Sequence, residues 1–368
     1  MSSEATQDLT GAQQSEAQAE QEAAAQSVRF RPSTGGWAAR IGVALAVVVG
    51  IFALPAIVPF EYQAELVALA AIYACVGLSM NVLVGYLGQL SLGHQAFFGI
   101  GAFTSAIIVT RNGYPFPLGL AAGLATGAIS ALLLGYVALR VRGLYLAIVT
   151  LAYGTLAEVS IFRFGFLAAG VEATRPEFLA SARVYAYVCL VTLTLLYAFD
   201  WRLMKSKAGR AIQAIRDDER VAATFGINIT GYKLLAFIIS GSFAGLAGAL
   251  FGHLVEAVSS ENEFDLALAL TFVLMTVVGG LGNRVGVLIG SVIFAVLDNL
   301  LELLHQALPF FPEVNPLYVP LIGATLLVIT LIQFPGGIGQ QIAPIQNWVR
   351  GGRFDIHAMK HGSGGGGG

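Results

Sequence analysis

Ten stretches of this chain run for about 20 residues each with almost no charge: roughly 38–58, 64–84, 92–111, 117–139, 143–163, 183–201, 232–254, 265–282, 286–305 and 316–334. A bilayer core takes about 20 apolar residues of helix to cross, and helices satisfy their own backbone there. The fold class expected is therefore an all-α polytopic membrane protein with about ten transmembrane helices, eight to ten in all. Composition agrees, with 56% hydrophobic and 11% charged residues, against about 25% charged in soluble domains. The net charge of -2 decides little, because in such proteins the placement of Lys and Arg matters more than their sum. Nothing in the composition suggests a nucleic-acid partner.

Placement is informative. With ten spans and the N-terminus inside, Arg111, Arg163, Arg175 and Arg183 fall outside and all other Lys and Arg fall inside. This asymmetry predicts cytoplasmic termini and an even span count. Residues 1–36 are expected to form a cytoplasmic N-terminal tail. The first 28 contain no Lys or Arg and little to bury, the composition of a disordered segment and not of a signal peptide. Residues 37–340 form the expected membrane domain, with a cytoplasmic loop at 202–230. Residues 341–368 form a C-terminal tail that ends in Gly-rich linker sequence. Cys75 and Cys189 lie in apolar runs, where a thiol packs as a small hydrophobe.

Two segments interrupt the pattern. The first, at residues 85–102, reads GYLGQLSLGHQAFFGIGA and holds five glycines, Gly85, Gly88, Gly93, Gly99 and Gly101. Each costs about 1 kcal/mol relative to Ala inside a helix. Gln89, Ser91 and His94 supply polar atoms beside them, so a short turn, a broken helix and a re-entrant segment are all open. Elsewhere, glycines recur at four-residue spacing, at Gly119/Gly123/Gly127, Gly241/Gly245, Gly248/Gly252 and Gly286/Gly290. These are expected to serve helix packing in lipid.

The second segment lies between the sixth and seventh spans. From Arg210 to Phe225 the apolar Ile212, Ile215, Ala222 and Phe225 recur at helical spacing while Gln213, Arg216, Asp217 and Arg220 fall elsewhere. One short amphipathic helix is expected, stopped by Gly226. It either lies on its own protein or the headgroups, or docks a soluble partner; the mixed charge of Asp217, Asp218 and Glu219 among the basics argues against a purely anionic-lipid contact.

No catalytic or nucleotide-binding motif is present. None of Lys205, Lys207, Lys233 and Lys360 follows a Gly, so no GxxxxGK[ST] loop exists, and the scattered histidines show no metal-ligand spacing. Glu158, Asp298 and Glu302 are ionisable residues within spans, which raises a functional hypothesis for each. Glu158 is placed to pair with Arg163, and Asp298 and Glu302 lie one turn apart on a common face.

Four blocks together resemble one family, the LivM-type permease subunit of ABC importers for branched-chain amino acids. They are NVLVGYLGQLSLGHQAFFGIGAF from Asn81, RVRGLYLAIVTLAYGTL from Arg140, GRAIQAIRDDERVAATFGINITGYKLLAFIISGSFAGLAGAL from Gly209, and VVGGLGNRVGVLIG from Val277, followed by FPGGIG at Phe334. The resemblance spans about 38–340. It implies the ABC importer permease fold in a bacterial plasma membrane, with four kinds of partner: a homologous LivH-type permease, two cytoplasmic ATPase subunits, an extracytoplasmic solute-binding protein and the membrane lipid. ATP and Mg would act on the ATPase subunits, and this chain would bind no cofactor and catalyse nothing itself.

The resemblance makes the 202–230 loop a coupling loop, with Arg210, Ile212, Ile215, Arg216, Asp217, Asp218, Glu219, Ala222, Ala223 and Gly226 as its candidate residues. Arg220 stands where a stricter coupling motif has Glu. The candidate translocation path takes in Gly85, Gln89, Ser91, Gly93, His94, Tyr145, Thr150, Glu158 and Asp298. Residues 258–264, VSSENEF, lack the proline turn frequent in the family. Relatives of the family carry urea, amides or other small polar solutes, and an ion-coupled secondary transporter using Asp298 and Glu302 is the rival of another class.

Overall fold

A computed structural model describes residues 34–138, 143–163, 170–255, 257–259, 264–307 and 336–349, with short helical pieces between 321 and 332. The chain divides into a larger unit, Gly50–Ile342, and a smaller one made of Met1–Val49 with Ala343–Gly368. In the smaller unit the described residues, 34–49 and 343–349, are helical.

The helices are α1 (Thr34–Ile57), α2 (Glu61–Met80), α3 (His94–Ala106), α4 (Phe116–Ala138), α5 (Leu144–Leu156), α6 (Ala182–Lys205), α7 (Lys207–Asp217), α8 (Glu219–Thr224), α9 (Ile229–Gly252), α10 (Leu266–Gly279), α11 (Arg284–Ala307) and α12 (Gly337–Val349). Three of them end in a wider π-helical turn, α2 at Asn81–Tyr86, α3 at Ile107–Arg111 and α5 at Ala157–Ile161. Among the described residues, nine of the ten expected apolar stretches are helical. The tenth, 316–334, falls largely outside them. Among the described residues, four segments are long and apolar enough to cross a membrane: Glu61–Tyr86, Phe116–Val137, Ala182–Lys205 and Ile229–Gly252.

α2 is the central helix and packs against α6, α9, α10 and α11, while α9 packs against α3 and α4. Small residues decide these contacts. A side chain on Gly101 or Gly127 would run into the backbone of Gly245, and one on Gly248 into the carbonyl of Phe98. Gly286 and Gly290 meet α10 in the same way, at Gly279 and Met275. All the four-residue glycine pairs named from sequence therefore lie at helix contacts, where the missing Cβ lets helices approach closely, against side chains of Val109 and Ser105 at Gly119 and against backbone at most of the others.

Arg202, Lys205, Lys207, Arg210, Arg216, Arg220, Lys233 and Arg284 mark one end of the bundle, the basic end. At the opposite end, Val171–Glu172 (β1) and Ala257–Val258 (β2) form a short antiparallel ladder, an exception to the all-helical expectation that ties two loops together. Arg175 clamps that end by donating to the His253 and Leu254 carbonyls, at 2.8 and 3.0 Å, and to Glu65 Oε1 at 2.8 Å. Carbonyls at a helix C-terminus lack helical partners, so a guanidinium there is well used.

Candidate functional site

The glycine-rich stretch is a true break. After the π turn at Asn81–Tyr86, residues 87–93 are not helical, and α3 starts only at His94. Gly88 holds φ at 73°, which L side chains rarely adopt. Gly93 lies so close to the Thr150 carbonyl that a Cβ would strike it, and the Leu92 amide donates to Thr150 Oγ1 at 3.0 Å.

One hydroxyl on α9 fixes the depth of the break. Ser240 Oγ lies 2.7 Å from His94 Nε2 and 3.2 Å from Ser79 Oγ, and His94 Nδ1 lies 3.1 Å from Ser91 Oγ. All four side chains are buried. At about 1.5 Å per residue, Ser240 sits about 17 Å along α9 from its Ile229 end. The chain thus descends from the level of Ser79 to Tyr86 and climbs back to the same level at His94. The lower part of this returning segment is non-helical, and there His94, Ser91, Ser79 and Ser240 satisfy one another in place of water.

Below it, at the basic end, three strands of contact converge. The carboxylate of Asp200 on α6 is fully buried and accepts from Arg284 Nε and from the Tyr86 hydroxyl, the latter at 3.0 Å. Asn81 Oδ1 accepts from the Gly282 amide at 2.8 Å. Arg216 on α7 donates from Nη1 to the Gly85 carbonyl, and its stem passes Gly88. A cleft of about 570 Å³ opens between residues 87–90 of the break and residues 215–220 of the α7 to α8 segment.

That segment is two helices, which corrects the expectation of one amphipathic helix from Arg210 to Phe225. Asp218 is extended, at φ -158° and ψ 115°, and its carboxylate accepts from the amides of Arg220 and Val221 at 2.7 and 3.2 Å. It therefore caps α8. The break turns the helical register, so Phe225 is 81% exposed and Val221 is exposed beside it, whereas Ile212, Ile215 and Ala222 are buried as expected. Gly226 ends α8 at φ 76° with its amide on the Ala223 carbonyl, 2.9 Å away.

A family described as "Branched-chain amino acid transport system / permease component" matches residues 62–330. The chain belongs to this permease family. It is 30% identical over 305 residues to the high-affinity branched-chain amino acid transport system permease protein LivM of Salmonella typhimurium, covering 74% of this chain and 69% of that one. The LivH permease of the same organism is 24% identical over 303 residues, covering 74% and 92%. The autoinducer 2 import system permease protein LsrC of Yersinia pestis is 24% identical over 283 residues, covering 72% and 78%. No solved structure matches.

In this permease the candidate path residues divide. Gly85, Gln89, Ser91, Gly93, His94 and Thr150 gather at the break. Tyr145 is 71% exposed on the far face of α5, and Glu158 is in the π turn at the other end of that helix. Among the described residues, Glu158 and Arg163 do not form the expected ion pair. Asp298 and Glu302 lie on α11, and their side chains lie outside the described residues.

The candidate coupling residues divide too. Ile212, Ile215 and Ala222 anchor the segment; Asp218 caps α8; Glu219 pairs with the buried Lys233 of α9. Arg210 donates to the Lys205 carbonyl at 3.1 Å. Asp217, Ala223 and Gly226 are exposed at the basic end. Sequence reasoning missed Asp200, Arg284 and the exposure of Phe225. An Asp closing an apolar run was the available signal for the first.

Proposed function

We propose that the chain is the transmembrane permease subunit of an ABC importer that moves branched-chain or related small amino acids inward by alternating access. In this reading the protein lies in the plasma membrane of a bacterium with about ten spans, and its basic end and both termini are cytoplasmic. It pairs with a homologous LivH-type permease, receives solute from an extracytoplasmic binding protein and is driven by two ATPase subunits that hold ATP and Mg. The chain itself needs no cofactor.

The similarity to LivM permeases across the membrane region carries this reading. The physical arrangement supports it. α7 and α8 present Phe225, Val221 and Asp217 at the basic end, as a docking surface requires, while Arg216 connects the same segment to the break. ATPase closure would press on α7 and α8 and reach residues 85–93 through that arginine. A second solute class, small polar molecules other than amino acids, is favoured by the similarity to a relative named for autoinducer 2 import.

The test is reconstitution of this chain with its partner subunits in proteoliposomes, with binding protein, ATP and labelled leucine. Import that requires ATP and binding protein supports the proposal. Import by this chain alone, driven by an ion gradient, overturns it, as does ATP hydrolysis by the purified chain.

A further inference from the structure

Most buried polar side chains around the break answer one another, although Asn81 Nδ2 and Gln89 Oε1 each lack a partner. His94, Ser91, Ser79 and Ser240 form a closed set, and Thr150 takes the Leu92 amide. Gln95, the next residue along α3, is 0% exposed, and neither its Oε1 nor its Nε2 reaches a hydrogen-bonding group. Among the described residues it is the side chain with both polar atoms buried and unanswered. Burying an amide in this way is costly, and native proteins rarely retain it without a use.

The place of this amide is defined twice. Through its neighbour His94 it lies at the level of Ser240, about 17 Å from the basic end of α9. It also abuts Gly154 of α5 so closely that a Cβ there would strike Nε2, and Gly154 sits about 15 Å along α5 from Leu144. Both measures put the amide about half-way through a bilayer core of about 30 Å. The helix that covers it is peripheral: α5 packs on α3 and α4, and its other face, with Tyr145, Ile148, Leu156 and Val159, is exposed.

We propose that the Gln95 amide is a contact for the permeant, covered by Gly154 in the state seen here and presented to the solute when α3 and α5 part. This rests on the permease reading above. A carboxamide offers a donor and an acceptor together, which matches a solute carrying an ammonium and a carboxylate, the main-chain groups of an amino acid. Gly154 lets α5 close over the amide, so the covered state leaves no space for solute beside it.

The test uses the complete transporter in proteoliposomes with saturating binding protein and labelled leucine. Gln95→Met keeps the length and removes both polar atoms. Its expected melting temperature equals or exceeds that of the wild type, and its ATP hydrolysis is unchanged. Leucine imported per ATP falls about tenfold, the scale of a lost hydrogen bond to a charged group. Wild-type import per ATP in this variant overturns the proposal. Gly154→Ala displaces the amide with Gln95 intact, and so covers the case in which Gln95→Met does not fold. It is expected to show the same loss, and unchanged import per ATP overturns the proposal equally. Wild-type vesicles that hydrolyse ATP without importing leucine overturn the permease reading itself, a result distinct from either variant importing normally.

Discussion

The guanidinium of Arg216 donates to the carbonyl of Gly85 across 131 residues of sequence. The first residue belongs to the exposed segment at the basic end, the second to the last turn before the break. A π turn leaves carbonyls out of the regular ladder, and the arginine takes one of them. Replacing Arg216 by Ala should therefore leave the ATPase bound and hydrolysing while import per ATP falls about tenfold, the value of a charge-assisted hydrogen bond. Arg216→Lys should recover only part, because a lysine is a flexible single-point donor. Equal loss of hydrolysis and import would show that the contact supports assembly and transmits nothing.

The docking face is sharpened by Asp218. Removing Asp217, Asp218 and Glu219 together reads from sequence as a clean test of docking, but in the structure it also removes a helix cap, worth about 1 kcal/mol, and the partner of buried Lys233. Phe225→Ser is the cleaner experiment. Its ring is exposed, so the melting temperature should move little, since surface changes stay within about 0.5 kcal/mol. ATPase affinity should fall about 30-fold if the ring is a hot spot of about 2 kcal/mol. Co-purification of the ATPase with the variant measures it.

How much of this was legible in the chain follows from the range of each interaction. Helices and glycine contacts were readable because uncharged length and four-residue spacing are local signals, and lipid demands both. An interruption was readable because glycines and polar atoms cluster between residues 85 and 94, but a turn, a broken helix and a re-entrant segment share that local pattern. The division at Asp218 was not, because a capping Asp among Asp217, Glu219 and Arg220 looks the same as one on a helix surface. Asp200 and Arg284 are 84 residues apart, and no local pattern joins them. Gln95 stands next to His94 and went unnoticed, since only the fold reveals that one is answered and the other is not.

Asp200 gives a prediction about stability. Its carboxylate is fully buried between Arg284 and Tyr86, on three different segments of the bundle. Taking away one member of a buried pair leaves the other charge uncompensated, at a cost of about 3–5 kcal/mol. Asp200→Ala should lower the melting temperature in detergent far more than Asp200→Leu combined with Arg284→Leu, which removes both charges. A double variant no more stable than the single one would mean that the pair does not act as a unit.

The last prediction concerns Gly245, whose backbone is where α9 meets α3 and α4. A Cβ on this residue would strike the carbonyl of Gly123 and the backbone of Gly127, neither of which is the flexible end of a side chain. Something must then shift, and overpacking of this kind costs about 1–3 kcal/mol. Gly50 on α1 supplies the contrast, because nothing lies within 4 Å of a Cβ built there. Gly50→Ala should be neutral or stabilising by up to about 1 kcal/mol, the helix propensity gained on leaving glycine. Thermal unfolding of the two purified variants separates the cases: Gly245→Ala should melt well below the wild type and Gly50→Ala at or above it. Equal melting temperatures would mean that α9 can withdraw from its neighbours without loss, and that the glycine contacts are not what holds α3, α4 and α9 together.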